Sequence, residues 1–230
     1  MKNKFLIKSL LLFLFVVTMS ACDGTFSAES DSGFEKIVML SDYPIYDSIF
    51  ELSEIATDVI RGEVLDERVE LINTTIPRED IIAEFGGENL SEEEKLELFP
   101  DYLGNGLWMD VDDQYEIVTI HQIRVLDVFQ GIYQIDDIIE VMQPGGEFGN
   151  VALHNSELLS FAPSSDLVFF ISSWSHIGRP AVLLNPTQSV YYFPEETQSV
   201  RVLRNFNSNN NLNLTLEDLE RIYENANLAD

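Results

Sequence analysis

The chain reads as a mainly β, α+β protein: a small bent-sheet β-barrel of the OB-like kind, with a helical insertion and flanking N- and C-terminal helices. Three observations predict this. Short apolar runs bounded by Gly, Pro and Asn recur through the middle of the 230 residues. The first long run changes its apolar parity part-way, as a strand does when it bends through a bulge to serve two faces of a sheet. Helical spacing is confined to the two ends and to the stretch 73–113.

The elements follow in order. Residues 23–35 are small, polar and acidic, the composition of a flexible tether. Ile45, Ile49, Leu52 and Ile55 recur with helical spacing and predict a short helix over about 45–56. The run from Val59 to Ile72 predicts a strand, with Ile60 and Val64 on one parity and Val69 and Leu71 on the other. In 73–113, Pro77 precedes a helical pattern that Gly86-Gly87 stops. Ser91 followed by Glu92, Glu93 and Glu94 reads as an N-cap with an acidic first turn. This stretch is expected to be a helical insertion on a sheet scaffold. Tyr115 to Phe129 is the longest strand signal, with Tyr115, Ile117, Thr119, His121, Ile123 and Val125 on the predicted core face.

Ile138 to Gln143 predicts a further strand, closed by a β-turn at Pro144-Gly145-Gly146. Asp166 to Ser173 predicts a strand whose continuous apolar run, Leu167 to Ile171, is expected to be buried on both faces. Ala181–Leu184 and Gln188–Phe193 flank the turn Asn185-Pro186-Thr187, and Ser199–Leu203 is a last strand. Asn205–Asn213 is expected to be a solvated loop. Thr215, with Asp218 three residues on, starts a helix over about 215–227. The expected organisation is a signal at 1–21, a lipid-anchored tether at 22–35, and one β-rich domain at 36–230.

Five segments carry a resemblance: Val59-Ile60-Arg61-Gly62-Glu63-Val64; Ile123 through Gly131; Gln143-Pro144-Gly145-Gly146; Leu167 through Ile171; and Leu184-Asn185-Pro186-Thr187-Gln188. Together they resemble uncharacterised β-rich surface domains of Gram-positive bacteria. That group usually has lysine where Gln130 stands and lacks so long an insertion. The resemblance implies a β-rich extracellular domain and carries no activity with it.

The N-terminus is more specific. Lys2, Lys4 and Lys8 precede the apolar run Leu10–Val17, and Ser20 and Ala21 lead into Cys22, the sole cysteine. A charged start, a short apolar stretch and a small-residue exit are the parts of an export signal. The run is short for a membrane span, which needs about 20 apolar residues. A cysteine directly after the small residues resembles the lipobox of bacterial lipoproteins. That resemblance implies cleavage before Cys22 and a lipid on its sulfur, holding the protein at the outer face of the cell membrane. With Cys22 acylated, no thiol remains for a disulfide, a nucleophile or a thiolate metal site.

The composition excludes other classes. The chain carries a net charge of −27; loss of a signal with three lysines and no acidic residue takes it to −30. Such a surface repels nucleic-acid phosphates and anionic headgroups, so the expected partners are the membrane, through its lipid, and an envelope protein or wall component. The histidines His121, His154 and His176 have no helix-face zinc spacing, and the apolar parity of His121 predicts a buried, hydrogen-bonded core residue. Asp110, Asp112 and Asp113 are the candidate ligands for a calcium ion, although the EF-hand pattern is absent. Asn207, Asn209 and Asn211 imitate a calcium loop with neutral amides. No cofactor is expected and no nucleophile stands beside a base. The expected function is a non-catalytic surface binding or envelope-associated module; the alternative is a lipid-anchored hydrolase using paired carboxylates.

Overall fold

The computed structural model describes residues 35–39, 42–73, 91, 93, 102–104, 107–108, 115–174, 178–194 and 202–228. The protein is mainly β. The described strands are β1 (Glu35–Met39), β2 (Asp58–Asn73), β3 (Tyr102–Gly104), β4 (Leu107–Trp108), β5 (Tyr115–Gln130), β6 (Ile138–Pro144), β7 (Gly146–Phe148), β8 (Val151–Asn155), β9 (Asp166–Trp174), β10 (Arg179–Leu183), β11 (Val190–Tyr192) and β12 (Arg204–Asn205). The described helices are α1 (Ile49–Ile55) and α2 (Leu216–Leu228).

Five strands form a ring of pairings. β2 pairs with β5, β5 with β6, and β9 with both β2 and β10, all antiparallel; β10 closes onto β6 in parallel. Along its other edge β9 is shared: Ile171 to Trp174 face β10, and Leu167 to Phe169 face β11. β12 lies outside β11. The predicted parity change in β2 is a real irregularity, since its register against β5 shifts between Val59 and Ile60, Arg61 and Gly62, and Val64 and Asp66. Those shifts let one strand pair with β9 at its start and with β5 along its whole length.

The two faces of β9 divide the core. Leu167, Phe169 and Ile171 pack inside the ring with Ile60, Val64, Ile123 and Val141. Val168 and Phe170 face outward and are covered by α1 and α2 through Leu52, Leu219 and Ile222. The run is therefore buried on both faces, as its unbroken apolar sequence predicts. α2 opens on the predicted capping box: Asp218 N donates to Thr215 Oγ1 at 3.0 Å, and Thr215 N donates back to Asp218 Oδ2 at 3.0 Å. α1 closes against a side chain from β5. Gln130 Nε2 donates to Ser53 O at 3.0 Å and Ala56 O at 2.7 Å, satisfying carbonyls left open at the helix end. Gln130→Ala should cost about 1 kcal/mol in chemical denaturation, and Gln130→Lys should keep most of that stability, because an ammonium can serve the same carbonyls.

The structure departs from the sequence expectations in several places. Within the expected helical insertion 73–113, the helical spans lie outside the described residues except at Ser91 and Glu93, of which Glu93 is helical; Tyr102–Gly104 and Leu107–Trp108 pair as antiparallel strands, and Asn73 belongs to β2. Pro144-Gly145-Gly146 is not a closing β-turn. β6 runs through Pro144 and the chain continues directly into β7, with Gly145 and Gly146 at φ +119° and +129°. A Cβ on Gly146 would lie 2.8 Å from Val69 Cγ1, so the backbone there crosses β2 at a distance only glycine permits. Glu35–Met39, at the tether boundary, forms β1 and pairs in parallel with β8. Tyr115, assigned to the core face of β5, is 60 % exposed. Of the expected strand Ser199–Leu203, the described part is Val202, bridged to Thr215, and Leu203, which precedes β12.

Candidate functional site

The Leu184–Gln188 segment and the asparagine-rich stretch build the site by gripping each other. Asn185 Oδ1 accepts from Thr187 N at 2.8 Å and so shapes its own turn. Gln188 exchanges two hydrogen bonds with the Tyr46 backbone, each 2.9 Å, and its Nε2 also donates to Asn211 Oδ1 at 2.9 Å. Asn205 Nδ2 donates to Asn210 O and Leu212 O, and Asn210 Oδ1 accepts from Leu212 N at 2.9 Å. Asn207, Asn209 and Asn211 thus do not converge on one point. Asn207 Oδ1 receives Asn209 N, while Asn211 serves Gln188. The stretch expected to be a solvated loop is tied into the fold, with Asn210 buried.

This scaffold fixes β12 beside β11, with Tyr192 opposite Arg204. The Arg204 guanidinium lies 3.9 Å above the Tyr192 ring, and Phe206 stacks on Tyr192 at 5.1 Å between centroids. Phe206 in turn meets Phe161 edge-on at 5.0 Å. Around them Asn205, Ser208 and Asn213 complete a shallow concavity of about 540 Å³. Among the described residues its wall holds no carboxylate and a single charge, Arg204. A second concavity, about 250 Å³, lies between β6 and β10 and includes Tyr133, Glu140 and Arg179. There Glu140 is engaged by Arg68 at 2.8 Å, which holds its carboxyl below the usual range.

Two carboxylate pairs are bridged by arginines, and a third is not: burial and the neighbouring charge of Asp42 push the Glu157 carboxyl up. Arg61 forks onto Asp166, with Nε to Oδ1 at 2.9 Å and Nη2 to Oδ2 at 2.7 Å, and reaches Asp127 at 3.0 Å. Its planar group also lies over Phe193 at 3.8 Å. Arg68 bridges Glu70 and Glu140 in the same way. The Arg61 cluster joins β2 to its neighbours β5 and β9, and the Arg68 cluster reaches from β2 to β6 across β5; in both the arginine sits between the carboxylates.

The remaining sequence candidates separate. His121 is fully buried, as its parity predicts. Gln143 Oε1 accepts from Leu159 N at 3.0 Å and its Nε2 donates to Leu159 O at 3.1 Å, which fixes the amide's orientation. The same Nε2 faces His121 Nε2 at 2.8 Å, so the imidazole must accept and carries its proton on Nδ1. Nδ1 makes no hydrogen bond, although Glu67 Oε2 lies 3.4 Å from it. Burial pushes the imidazole down to about 4. His154 is exposed on β8. His176, Asp110, Asp112, Asp113 and Cys22 lie outside the described residues. Among the described residues no cluster of three or more metal-ligating side chains occurs.

Sequence reasoning did not find Tyr192, Arg204 and Phe206. Their proximity comes from the β11–β12 register, and the only signal in the chain was an arginine standing in a stretch with no acidic neighbour from Val202 to Leu216. No protein-family model matches the chain, and no curated protein and no solved structure is similar to it.

Proposed function

We propose that the chain is a lipid-anchored extracellular lipoprotein whose β-rich body is a non-catalytic binding module at the outer face of the cell membrane. The observation that carries the anchoring is the order of Lys2, Lys4 and Lys8, an apolar run, Ser20-Ala21 and the sole cysteine, Cys22. With a net charge of −27 the protein gains nothing electrostatically from anionic headgroups, and acyl chains supply the attachment at about 0.8 kcal/mol per buried methylene. Among the described residues no helix is long and apolar enough to cross a membrane.

The body reads as an OB-like barrel. Counted along the chain, its five ring strands follow one another as first, second, third, fifth and fourth before returning to the first. A closed five-strand ring with crossing connections is what that architecture requires, and such barrels present ligand faces on a rigid core. The concavity at Tyr192, Arg204 and Phe206 supports binding, since it offers a cation, aromatic rings and short polar side chains on strands held by the core.

The anchoring is tested on the membrane fraction. Intact-mass and peptide spectrometry should find Cys22 as the first residue, carrying acyl groups. Cys22→Ala should leave an unprocessed or aqueous-phase form. Membrane-fraction protein with an unmodified Cys22 would overturn the proposal.

A further inference from the structure

We infer that the concavity walled by Tyr192, Arg204, Asn205, Phe206, Ser208 and Asn213 is an anion site that takes the carboxylate of a sugar acid, with Arg204 as its anchor. The inference deepens the binding-module reading and rests on it.

The first argument is charge. The chain has 40 acidic residues against 13 basic ones, yet this wall contains no carboxylate among the described residues. Three other arginines are used internally: Arg61 holds Asp127 and Asp166, Arg68 holds Glu70 and Glu140, and Arg124 lies 3.6 Å from Glu63. Arg221 also lies over a ring, that of Phe50, but on a helix that carries Glu217, Asp218, Glu220 and Glu224. Arg204 has no such partner among the described residues; its contact is the Tyr192 ring. A guanidinium seated over an aromatic face loses little side-chain freedom when a ligand arrives, and its free N–H groups can be offered to an oxyanion. Arg204 is exposed, so those groups are accessible.

The second argument selects the anion. A guanidinium fork accepts carboxylate and phosphate alike. The remaining acidic charge of the protein acts over a distance and opposes a dianion more than a monoanion. A carboxylate therefore suits the site better than a phosphate monoester. The Ser208 hydroxyl and Asn213 amide, both exposed and making no hydrogen bond among the described residues, line the same concavity as the arginine and offer donors and acceptors for neighbouring hydroxyls. A sugar acid carries its carboxylate beside such hydroxyls.

The test titrates the full chain in nonionic detergent with glucuronate, glucose, glucose 6-phosphate and N-acetylalanine. Calorimetry and the Arg204 Nε–H NMR signal give the two readouts. Glucuronate should saturate at about 1 mM, the weak affinity of a shallow site, and bind at least tenfold tighter than each of the other three. Arg204→Met should weaken glucuronate at least tenfold, and Arg204→Lys should fall between the two. Asn213→Asp, which places a carboxylate in the same concavity, should likewise weaken glucuronate at least tenfold while leaving the unfolding transition in place. The inference is overturned by any of three results: no saturable glucuronate binding, equal or tighter binding of glucose, glucose 6-phosphate or N-acetylalanine, or glucuronate affinity unchanged in Arg204→Met. All three leave the anchoring at Cys22 and binding at another face intact.

Discussion

Gly131→Ala is expected to lower folding stability by about 4 kcal/mol, combining backbone strain with overpacking at a site that cannot yield. Gly131 follows β5 with φ at +113°, where side-chain-bearing residues are strained. A Cβ there would overlap Asp58 Oδ1 and lie 2.9 Å from Asp58 Cα. Rotating the aspartate cannot relieve contact with its own backbone. The carboxylate is also committed, receiving Ile132 N at 2.8 Å and Thr57 Oγ1 at 2.6 Å, and Asp58 is 1 % exposed. Moving it would uncover an amide and a hydroxyl at the start of β2, where that strand pairs with β9. Gly149→Ala is the control. Its φ of +63° falls in the left-handed region and its Cβ would meet nothing within 4 Å, so about 1 kcal/mol is expected. Urea denaturation of both variants distinguishes them. A Gly131→Ala loss no larger than that of Gly149→Ala would show that the Asp58 turn moves as a unit.

The pattern of what the sequence revealed has a physical explanation. The unbroken run in β9 is local and carries its burial in its own residues. The alternation in β5 accounts for only part of its burial: it places His121 inside, but Val118 and Ile120 on the opposite parity are buried as well. Thr215 with Asp218 is equally local, a cap closed within four residues. The ring closure is not local. Asp58 meets Ile171, and Val141 meets Ala181, only because β-strands distant in the chain are brought together by the core. β1, β7 and β8 escaped for another reason: they are short, and β7 and β8 lie on a Gly- and Asn-punctuated stretch without clean alternation. The asparagine-rich stretch misled in the opposite sense. Its amides resemble solvated loop residues in sequence, yet Asn205, Asn210 and Asn211 are spent on Gln188, Leu212 and the backbone beside them. The candidate site shares this non-local origin, since Tyr192 and Arg204 are neighbours by register alone.

Acid should reach the fold through His121. The unfolded imidazole takes a proton near its ordinary value of 6.5, whereas burial lowers the folded one to about 4. Between these values the unfolded chain holds a proton that the folded chain does not. Stability is therefore full above 6.5 and falls as pH drops toward 4, by about 3 kcal/mol for this one group. The surroundings explain why the fold refuses the proton. Gln143 on β6 points an N–H at Nε2, so a protonated ring would set donor against donor. Phe161 packs edge-on at 4.6 Å and offers no charge. Among the described residues Glu67 on β2, 3.4 Å from Nδ1, is the group positioned to favour the cation, and it is 41 % exposed and solvent-screened. Surface carboxylates act in the opposite direction, because protonating them relieves repulsion on a chain of net charge −27. The comparison must therefore be made against His121→Met, which keeps the surface and removes the titration. Urea unfolding at pH 7 and at pH 4.5 should find wild type well above the variant at pH 7, with most of that margin gone at pH 4.5. A margin that stays constant across the interval would mean that Glu67 closes onto the ring and holds it charged within the fold.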